Sequence, residues 1–131
     1  MTAENNKPLT FLIVDDDIPL SLFFKQTLLL DDHRVFVSVN EHGALEVLKT
    51  ETVDILLCDL VLPGLDGSQI IQIVKDQYPN VYCVLISGYH DKIRTSQCNA
   101  DLIISKPVLK ETLDSIIQQF HLHQSSRKEQ L

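Results

Sequence analysis

Short runs of apolar residues alternate along the chain with longer segments in which apolar residues recur every three or four positions. The short runs are TFLIV (10–14), VFVSV (35–39), VDILLCD (53–59), VYCVLIS (81–87) and DLIIS (101–105). Continuous runs of this kind, rich in β-branched residues, are typical of strands buried on both faces of a parallel sheet. The longer segments predict helices that cover the sheet. Five strands alternating with five helices therefore predict an α/β fold.

Capping residues and prolines mark the ends of the predicted helices. Asp17 is expected to cap the first helix, with Pro19 in its first turn, and Asn40 to cap the second. The third helix should end before Pro79, because the residue before a proline disfavours the helical conformation. A short, weakly patterned helix is predicted at about 90–97. The positions expected to face the sheet are Leu20, Phe23, Phe24, Thr27 and Leu28, then Ala44, Leu45, Val47 and Leu48, then Ile70, Ile71, Ile73 and Val74, and in the last helix Val108, Leu109, Leu113, Ile116, Ile117 and Phe120.

The length of 131 residues fits one domain and leaves too little chain for two independent cores. We predict an N-terminal extension over residues 1–8 and one folded domain over 9–120. The polar segment 121–131 is expected to be either a frayed terminus or the start of a linker. The longest apolar stretches are too short to cross a bilayer, and the N-terminus lacks the pattern of a secretory signal. We therefore expect a cytoplasmic protein that does not associate with a membrane.

Charge and cysteine content narrow the possible functions. Eleven basic and eighteen acidic side chains give a formal charge of -7, which repels phosphate backbones and argues against nucleic-acid binding by this segment. The three cysteines are odd in number and form no CxxC pair, so neither a disulfide framework nor a zinc site is indicated. Cys58 and Cys83 are interpreted as small core residues.

Polar residues follow four of the five predicted strands at the point where each strand stops. They are Asp15 and Asp16 after the first strand, Asp59 at the end of the third, Ser87 at the end of the fourth and Lys106 after the fifth. Each alone has an ordinary explanation as a helix cap, a turn residue or a solvated side chain. In an open parallel sheet, however, the carboxyl ends of the strands share one edge, where ligands bind. We therefore expect these five groups to converge.

Four short motifs carry a resemblance to a known family. The segments VDDD (14–17), CDLVLPGLDG (58–67), LISG (85–88) and ISKP (104–107) together resemble the receiver domain of two-component response regulators, over roughly residues 9–120. Four motifs in the right order at four strand ends are far more specific than any one of them. The resemblance implies a bacterial signalling protein with a single-domain, flavodoxin-like three-layer sandwich and the sheet order 2-1-3-4-5.

The resemblance also implies the chemistry of the strand ends. Asp59 would be the nucleophile that takes a phosphoryl group from a sensor histidine kinase or a histidine phosphotransfer protein, forming an acyl phosphate. Mg²⁺ would be the cofactor, since it prefers hard oxygen ligands. Asp16 and Asp59 would bind the ion, Asp15 would bind it through a water, and the backbone carbonyl of Val61 would complete the set. The protein would catalyse only its own phosphorylation and dephosphorylation and would not otherwise be an enzyme.

Signalling would follow from the same groups. Lys106 and Ser87 would contact phosphoryl oxygens, and movement of the Ser87 hydroxyl would shift the end of the fourth strand. By resemblance, the face made by the predicted fourth helix, the fifth strand and the last helix would bind a downstream effector protein, an output domain or a second copy of the chain. Receivers usually carry an aromatic residue where this chain has Ile103. How switching works without that ring stays open.

Two other functions compete with this reading. A receiver-like interaction module that is never phosphorylated is the first alternative, and Ile103 is the residue that favours it. A phosphatase of the haloacid-dehalogenase type also uses an aspartate after a strand with magnesium, but it needs a second aspartate two residues later. Val61 occupies that position and cannot protonate a leaving group, which makes the phosphatase the less favoured alternative.

Overall fold

A computed structural model describes residues 7–88 and 98–129, and these contain five strands and four helices. The strands are β1 (Thr10–Val14), β2 (Arg34–Ser38), β3 (Ile55–Asp59), β4 (Tyr82–Ser87) and β5 (Leu102–Ser105). The helices are α1 (Ile18–Leu30), α2 (Glu41–Thr50), α3 (Gly67–Gln77) and α4 (Lys110–Glu129). The helix predicted at about 90–97 lies outside the described residues.

All five strands form one sheet in the order β2-β1-β3-β4-β5, and every neighbouring pair is parallel. The predicted α/β class, the parallel sheet and its strand order are confirmed. Register places Val14 opposite both Ser38 and Cys58, and Ser87 opposite Ser105. The carboxyl ends of the strands therefore lie in line along one side of the sheet, which we call the carboxyl edge. The opposite side is the amino edge.

The three central strands are buried along their whole length, as the continuous apolar runs predict. Every residue of β1, β3 and β4 is buried, whereas the edge strands β2 and β5 are partly exposed. Alternate strand residues pack with α2 and α3 into one apolar cluster that includes both central cysteines, which are confirmed as core residues. Its main members are Leu12, Val14, Leu56, Cys58, Cys83 and Leu85 from the strands, with Ala44, Leu48, Ile70, Ile71 and Val74 from the helices.

The inward face of α1 differs in part from the prediction. Phe24 and Leu28 are buried, but Phe23 is 38% exposed, and Ser21 is buried instead. The physical reason is that α1 is apolar on nearly all sides, so the spacing of its apolar residues does not identify one inward stripe.

The predicted caps are present, whereas the last helix begins later than expected. Asp17 accepts a hydrogen bond from the Leu20 N–H at 3.1 Å, and Asn40 caps α2 through the Gly43 N–H at 2.9 Å. The last helix begins only at Lys110, so Leu109 precedes it and is exposed rather than inward.

The helix α4 continues through most of the segment predicted as a polar tail. It is helical to Glu129, since glutamine, arginine, lysine and glutamate are good helix formers although they are polar. Leu113, Ile116 and Phe120 are buried, as predicted. Residues Pro8–Lys106 form one compact unit, and α4 belongs to a second unit. Among the described residues, no helix combines the length and the apolar character needed to cross a membrane.

Candidate functional site

Polar side chains from four strand ends meet at the carboxyl edge, within the compact unit 8–106. Hydrogen bonds continue past the ends of the strands and hold these residues in place. The Asp15 N–H donates to the Ser38 carbonyl at 3.0 Å, and the Lys106 N–H donates to the Ser87 carbonyl at 2.9 Å. The structure therefore places Asp15, Asp59, Ser87 and Lys106 on neighbouring strands of one edge, as the sequence predicts.

Three carboxylates form the centre of this edge. Asp15, Asp16 and Asp59 offer oxygens that all lie within 4.8 Å of one another. Asp15 and Asp59 are buried, while Asp16 is exposed. Opposite ligands of a magnesium ion lie about 4.2 Å apart, because each oxygen is about 2.1 Å from the metal. The oxygens therefore span nearly the size of one hydrated Mg²⁺ site.

Asp15 is a buried acid that is only partly satisfied by hydrogen bonds. Its Oδ1 accepts the Asp17 N–H at 2.9 Å, but its buried Oδ2 has no hydrogen-bond partner among the described residues. Burial, followed by the charge of Asp59, raises the pKa of Asp15 to about 6, against the lowering effects of the Asp17 N–H and the Lys106 ammonium. A buried charged oxygen without a partner is costly. An oxygen-binding cation would satisfy it, so the residues fit a bound Mg²⁺.

Asp59 lies between the other carboxylates and Lys106. The Lys106 Nζ is 3.3 Å from the Asp59 Oδ1 and 3.4 Å from its Oδ2, and the Val61 N–H donates to Oδ1 at 3.4 Å. Asp59 is almost fully buried, whereas Lys106 is 38% exposed at its side chain. One ammonium among three carboxylates leaves two negative charges uncompensated when all are ionised. This excess of negative charge would favour a bound divalent cation.

Ser87 contributes a buried hydroxyl at the end of β4. Its Oγ donates to the Ile104 carbonyl of β5 at 3.5 Å, the long limit for a hydrogen bond between oxygens. Because this hydrogen bond is weak, the Ser87 hydroxyl can turn to a better acceptor at little cost. Ile103, the neighbouring residue of β5, has an exposed side chain, as does Val61 after Asp59.

Gly67 holds the loop after Asp59 close to the strand end. Its N–H donates to the Leu60 carbonyl at 2.7 Å, and a Cβ at this position would collide with the backbone of Asp59 and Leu60. The sequence indicates Asp66 and Gly67 as the cap and turn of the third helix, and the capping box with Gln69 is present. Sequence reasoning missed the close backbone approach, because glycine at a helix start has many ordinary explanations.

A second set of partly buried charges lies at the amino edge, and sequence reasoning did not predict it. The Lys75 Nζ is 2.7 Å from the Asp101 Oδ2, which also accepts the Cys83 N–H at 2.7 Å. Asp54 accepts the Thr10 N–H at 2.8 Å. The partners are 18 to 44 residues apart, so no local spacing in the sequence could indicate these contacts.

Comparison with protein families gives a match over most of the chain. The family model of the response regulator receiver domain matches residues 11–118.

Individual relatives agree in sequence over part of their length. This chain is 32% identical over 78 residues to the response regulator protein FleR of Pseudomonas aeruginosa. The match covers 60% of this chain and 16% of that protein. A cyclic di-GMP phosphodiesterase of Thermotoga maritima is 31% identical over 127 residues, covering 90% of this chain and 34% of that protein. The chain therefore spans about a third or less of these two curated relatives.

Solved structures share the fold. A CheY-like receiver domain protein from Methanospirillum hungatei superposes with a TM-score of 0.81 at 22% identity, covering 92% of this chain and 99% of that one. The response regulator TrrA from Thermotoga maritima, solved in complex with Mg(2+)-BeF, superposes with a TM-score of 0.76 at 18% identity, covering 86% and 98%. At these identities the likeness shows the flavodoxin-like fold alone.

Proposed function

The chain belongs to the response regulator receiver domain family, and on this premise we propose that it is a phosphoacceptor that takes a phosphoryl group on Asp59. One observation carries the proposal. Three carboxylates with oxygens within 4.8 Å of one another meet the Lys106 ammonium at 3.3 Å from Asp59, at the edge where ligands of such sheets bind.

In the proposed reaction, an Asp59 carboxylate oxygen attacks the phosphorus of a phosphorylated histidine. A bond forms between that oxygen and phosphorus, and the bond between phosphorus and the imidazole nitrogen breaks. The electron pair leaves with the imidazole, which takes a proton from solvent. Lys106, next to the carboxylate, would neutralise a phosphoryl oxygen, and Ser87 would donate its hydroxyl to another.

The residues that would hold Mg²⁺ are Asp15, Asp16, Asp59 and the Val61 backbone carbonyl. The ion would supply positive charge to the transferring phosphoryl oxygens. Two features support this set: the unpartnered Oδ2 of Asp15 and the size of the carboxylate cluster. The Mg(2+)-BeF complex of the neighbour TrrA is consistent with it.

We propose β5 as the element that reports phosphorylation. When the Ser87 hydroxyl turns to a phosphoryl oxygen, it releases the Ile104 carbonyl, and the backbone beside the exposed Ile103 is free to shift. The donor would be a histidine kinase or a histidine phosphotransfer protein, and the receiver of the signal an effector protein or output domain. The two named relatives are much longer than the matched region, which supports an output domain. Catalysis would extend no further than the phosphorylation and dephosphorylation of the chain itself.

Labelling with a small phosphodonor tests the proposal. Acetyl phosphate with Mg²⁺ should add one phosphoryl group to the wild-type chain by intact-mass spectrometry, and Asp59→Asn should abolish the addition. Asp54→Asn removes a carboxylate at the amino edge and is the matched control that should still be labelled. Labelling of Asp59→Asn would place the nucleophile elsewhere. An unlabelled wild type would support the interaction module that is not phosphorylated.

A further inference from the structure

A cavity opens at the amino edge of the sheet, within the compact unit 8–106. It has a volume of about 420 Å³, and residues 48–53 and 77–81 line it. These segments connect α2 to β3 and α3 to β4, and they include the last residues of both helices. Pockets that hold small organic molecules typically have volumes of roughly 300–1,000 Å³. The cavity is therefore large enough for such a ligand.

The most buried residues of the lining are apolar. Leu48, Val53 and Val81 are each at most 6% exposed and belong to the apolar cluster of the core. Tyr78 is half-buried and packs against the same cluster. The remaining lining residues are partly or fully exposed, and most of them are polar. This combination favours a ligand with an apolar body and a polar group at one end.

Two helices end at this cavity. The helix α2 ends at Thr50 and α3 ends at Gln77, and both residues line the cavity. The last carbonyls of a helix have no N–H partner within the helix, and the aligned peptide dipoles give that end about half a negative charge. The two helix ends therefore bring acceptor oxygens, and about one negative charge in total, to the same cavity.

The charged side chains around the cavity do not cancel this negative potential. Three basic residues near it are held in ion pairs: Arg34 with Glu51, Lys49 with Glu46 and Lys75 with Asp101. Each pair is neutral as a whole, with N···O distances of 3.1, 3.2 and 2.7 Å. Asp54 and Asp76, which flank the two lining segments in the chain, add carboxylates. The local potential is therefore negative, and it favours a cation.

We propose that this cavity binds a small organic cation, in which a protonated amine is joined to an aromatic or aliphatic body. The body would cover Leu48, Val53 and Val81 and remove apolar surface from water. The ammonium group would donate hydrogen bonds to carbonyl oxygens at the ends of α2 and α3. An anion of the same shape would meet the same oxygens and be repelled. Binding would not depend on phosphoryl transfer, because about 20 Å of extended chain separates Val53 from Asp59.

Three probes with the same phenyl body test the sign of the charge that the cavity selects. They are 2-phenylethylamine, which is a cation at neutral pH, the neutral 2-phenylethanol and the anion phenylacetate. Amide shifts in ¹H–¹⁵N spectra at physiological salt measure their binding. The amine should bind with a dissociation constant on the order of 1 mM, about threefold more tightly than the alcohol and about tenfold more tightly than phenylacetate. The largest shifts should come from residues 48–53 and 77–81.

The same titrations can overturn the proposal. Equal affinities of the three probes, or no binding of the amine at about ten times the expected dissociation constant, would show that the helix ends do not select a cation. Shifts confined to the carboxyl edge, around Asp15 and Asp59, would show that the amine binds the carboxylate cluster instead. Asp59→Asn should bind the amine as the wild type does, so that failure of phosphorylation and failure of the cavity are distinguishable.

Charge variants locate the bound ammonium group. Glu51→Gln removes the carboxylate that neutralises Arg34, so it should weaken binding of the amine by about threefold and leave binding of the alcohol unchanged. Its matched control is Glu41→Gln, at the opposite end of α2, which should alter neither. Equal effects of the two variants on the amine would contradict the proposal.

A lysine at the end of α2 should compete with the ligand. Thr50 is exposed, and Thr50→Lys supplies an ammonium group to the same helix end, so it should weaken the amine by about fivefold. Gln72→Lys makes a change of the same charge on α3 outside the lining and should leave binding unchanged. The spectra also report whether each variant is folded. Unaltered binding of the amine to folded Thr50→Lys would contradict the proposal.

Discussion

Buried or partly buried carboxylates lie at both edges of the sheet, but their surroundings differ. At the amino edge, Asp101 accepts hydrogen bonds from Lys75 and from the Cys83 N–H, both at 2.7 Å, and Asp54 accepts one from the Thr10 N–H at 2.8 Å. At the carboxyl edge, three carboxylates share one ammonium, and the Asp15 Oδ2 has no partner among the described residues.

The acids of the two edges differ in whether the chain itself satisfies them. The acids of the amino edge have their partners within the chain, so they stabilise the fold and need nothing from outside. The acids of the carboxyl edge repel one another, and the pKa of Asp15 is raised to about 6 as a result of burial and of the charge of Asp59. An arrangement of this kind is typical of a site that a ligand completes, and groups with perturbed pKa values gather at such sites.

The largest expected effect is the loss of the Asp101 partner at the amino edge. Asp101→Ala leaves the Lys75 ammonium and the Cys83 N–H without their acceptor in a largely buried place, and we expect the free energy of unfolding to fall by about 3 kcal/mol. Urea denaturation measures it. The matched control is Asp114→Ala, which breaks the exposed pair with Lys110 and should cost at most about 0.5 kcal/mol. Similar losses in both variants would contradict the structural role of the amino-edge acids.

At the carboxyl edge, replacing an acid by a neutral residue is expected to raise the free energy of unfolding. The pKa of Asp15 is about 6 in the folded chain and 3.8 ordinarily, so ionised Asp15 destabilises the fold. This penalty is absent below about pH 4, grows between about pH 4 and pH 6, and is complete above pH 6. Asp15→Asn keeps the acceptor for the Asp17 N–H and should raise the stability by about 2 kcal/mol at pH 7.5 without metal. It should have no effect near pH 3.5.

Urea denaturation at the two pH values measures the Asp15→Asn effect. A loss of stability at pH 7.5 would show that Asp15 is satisfied within the fold after all, and the contrast between the two edges would disappear.

Magnesium should raise the thermal stability by binding at the carboxyl edge and not at the amino edge. At ten times its dissociation constant, a ligand that binds only the folded state adds about 1.4 kcal/mol, or about 5 °C in the melting temperature of a chain of this size. We expect this rise in the wild type and in Asp54→Asn, and no rise in Asp16→Ala. Thermal melts with and without Mg²⁺ measure it. A flat response of the wild type would indicate a receiver without a metal site.

The smallest expected effect concerns Asp54. Asp54→Asn retains an acceptor for the Thr10 N–H but loses its charge, so the free energy of unfolding should fall by about 1 kcal/mol, opposite in sign to Asp15→Asn. Urea denaturation of the two asparagine variants side by side measures the contrast. Stabilisation by both would show that any neutral residue is preferred at either edge.

Much of the fold and of the candidate site could be read from the chain. The runs before Asp15 and Asp59 are apolar because strands buried on two faces need apolar residues throughout, and the polar residues that follow them mark the edge. The inward face of α1 could be read only in part, because a helix apolar on nearly all sides offers little contrast between faces. Phe24 and Leu28 are buried as predicted, whereas Phe23 is exposed and Ser21 is buried instead. The extent of α4 was missed, since polar residues with good helix propensity look like a tail.

The order of the strands and helices, and the residues at which the strands stop, follow from local periodicity and capping, so they can be read from the chain. Which acids have partners depends on the tertiary structure. Asp54 and Asp101 look in sequence like any acids before a strand, and Asp15 looks like part of a helix cap. The register of the sheet brings the Thr10 N–H to Asp54 and the Cys83 N–H to Asp101. The same register leaves the Asp15 Oδ2 buried beside Asp59. Hydrogen bonding and burial depend on contacts between residues far apart in the chain, so local sequence does not indicate them.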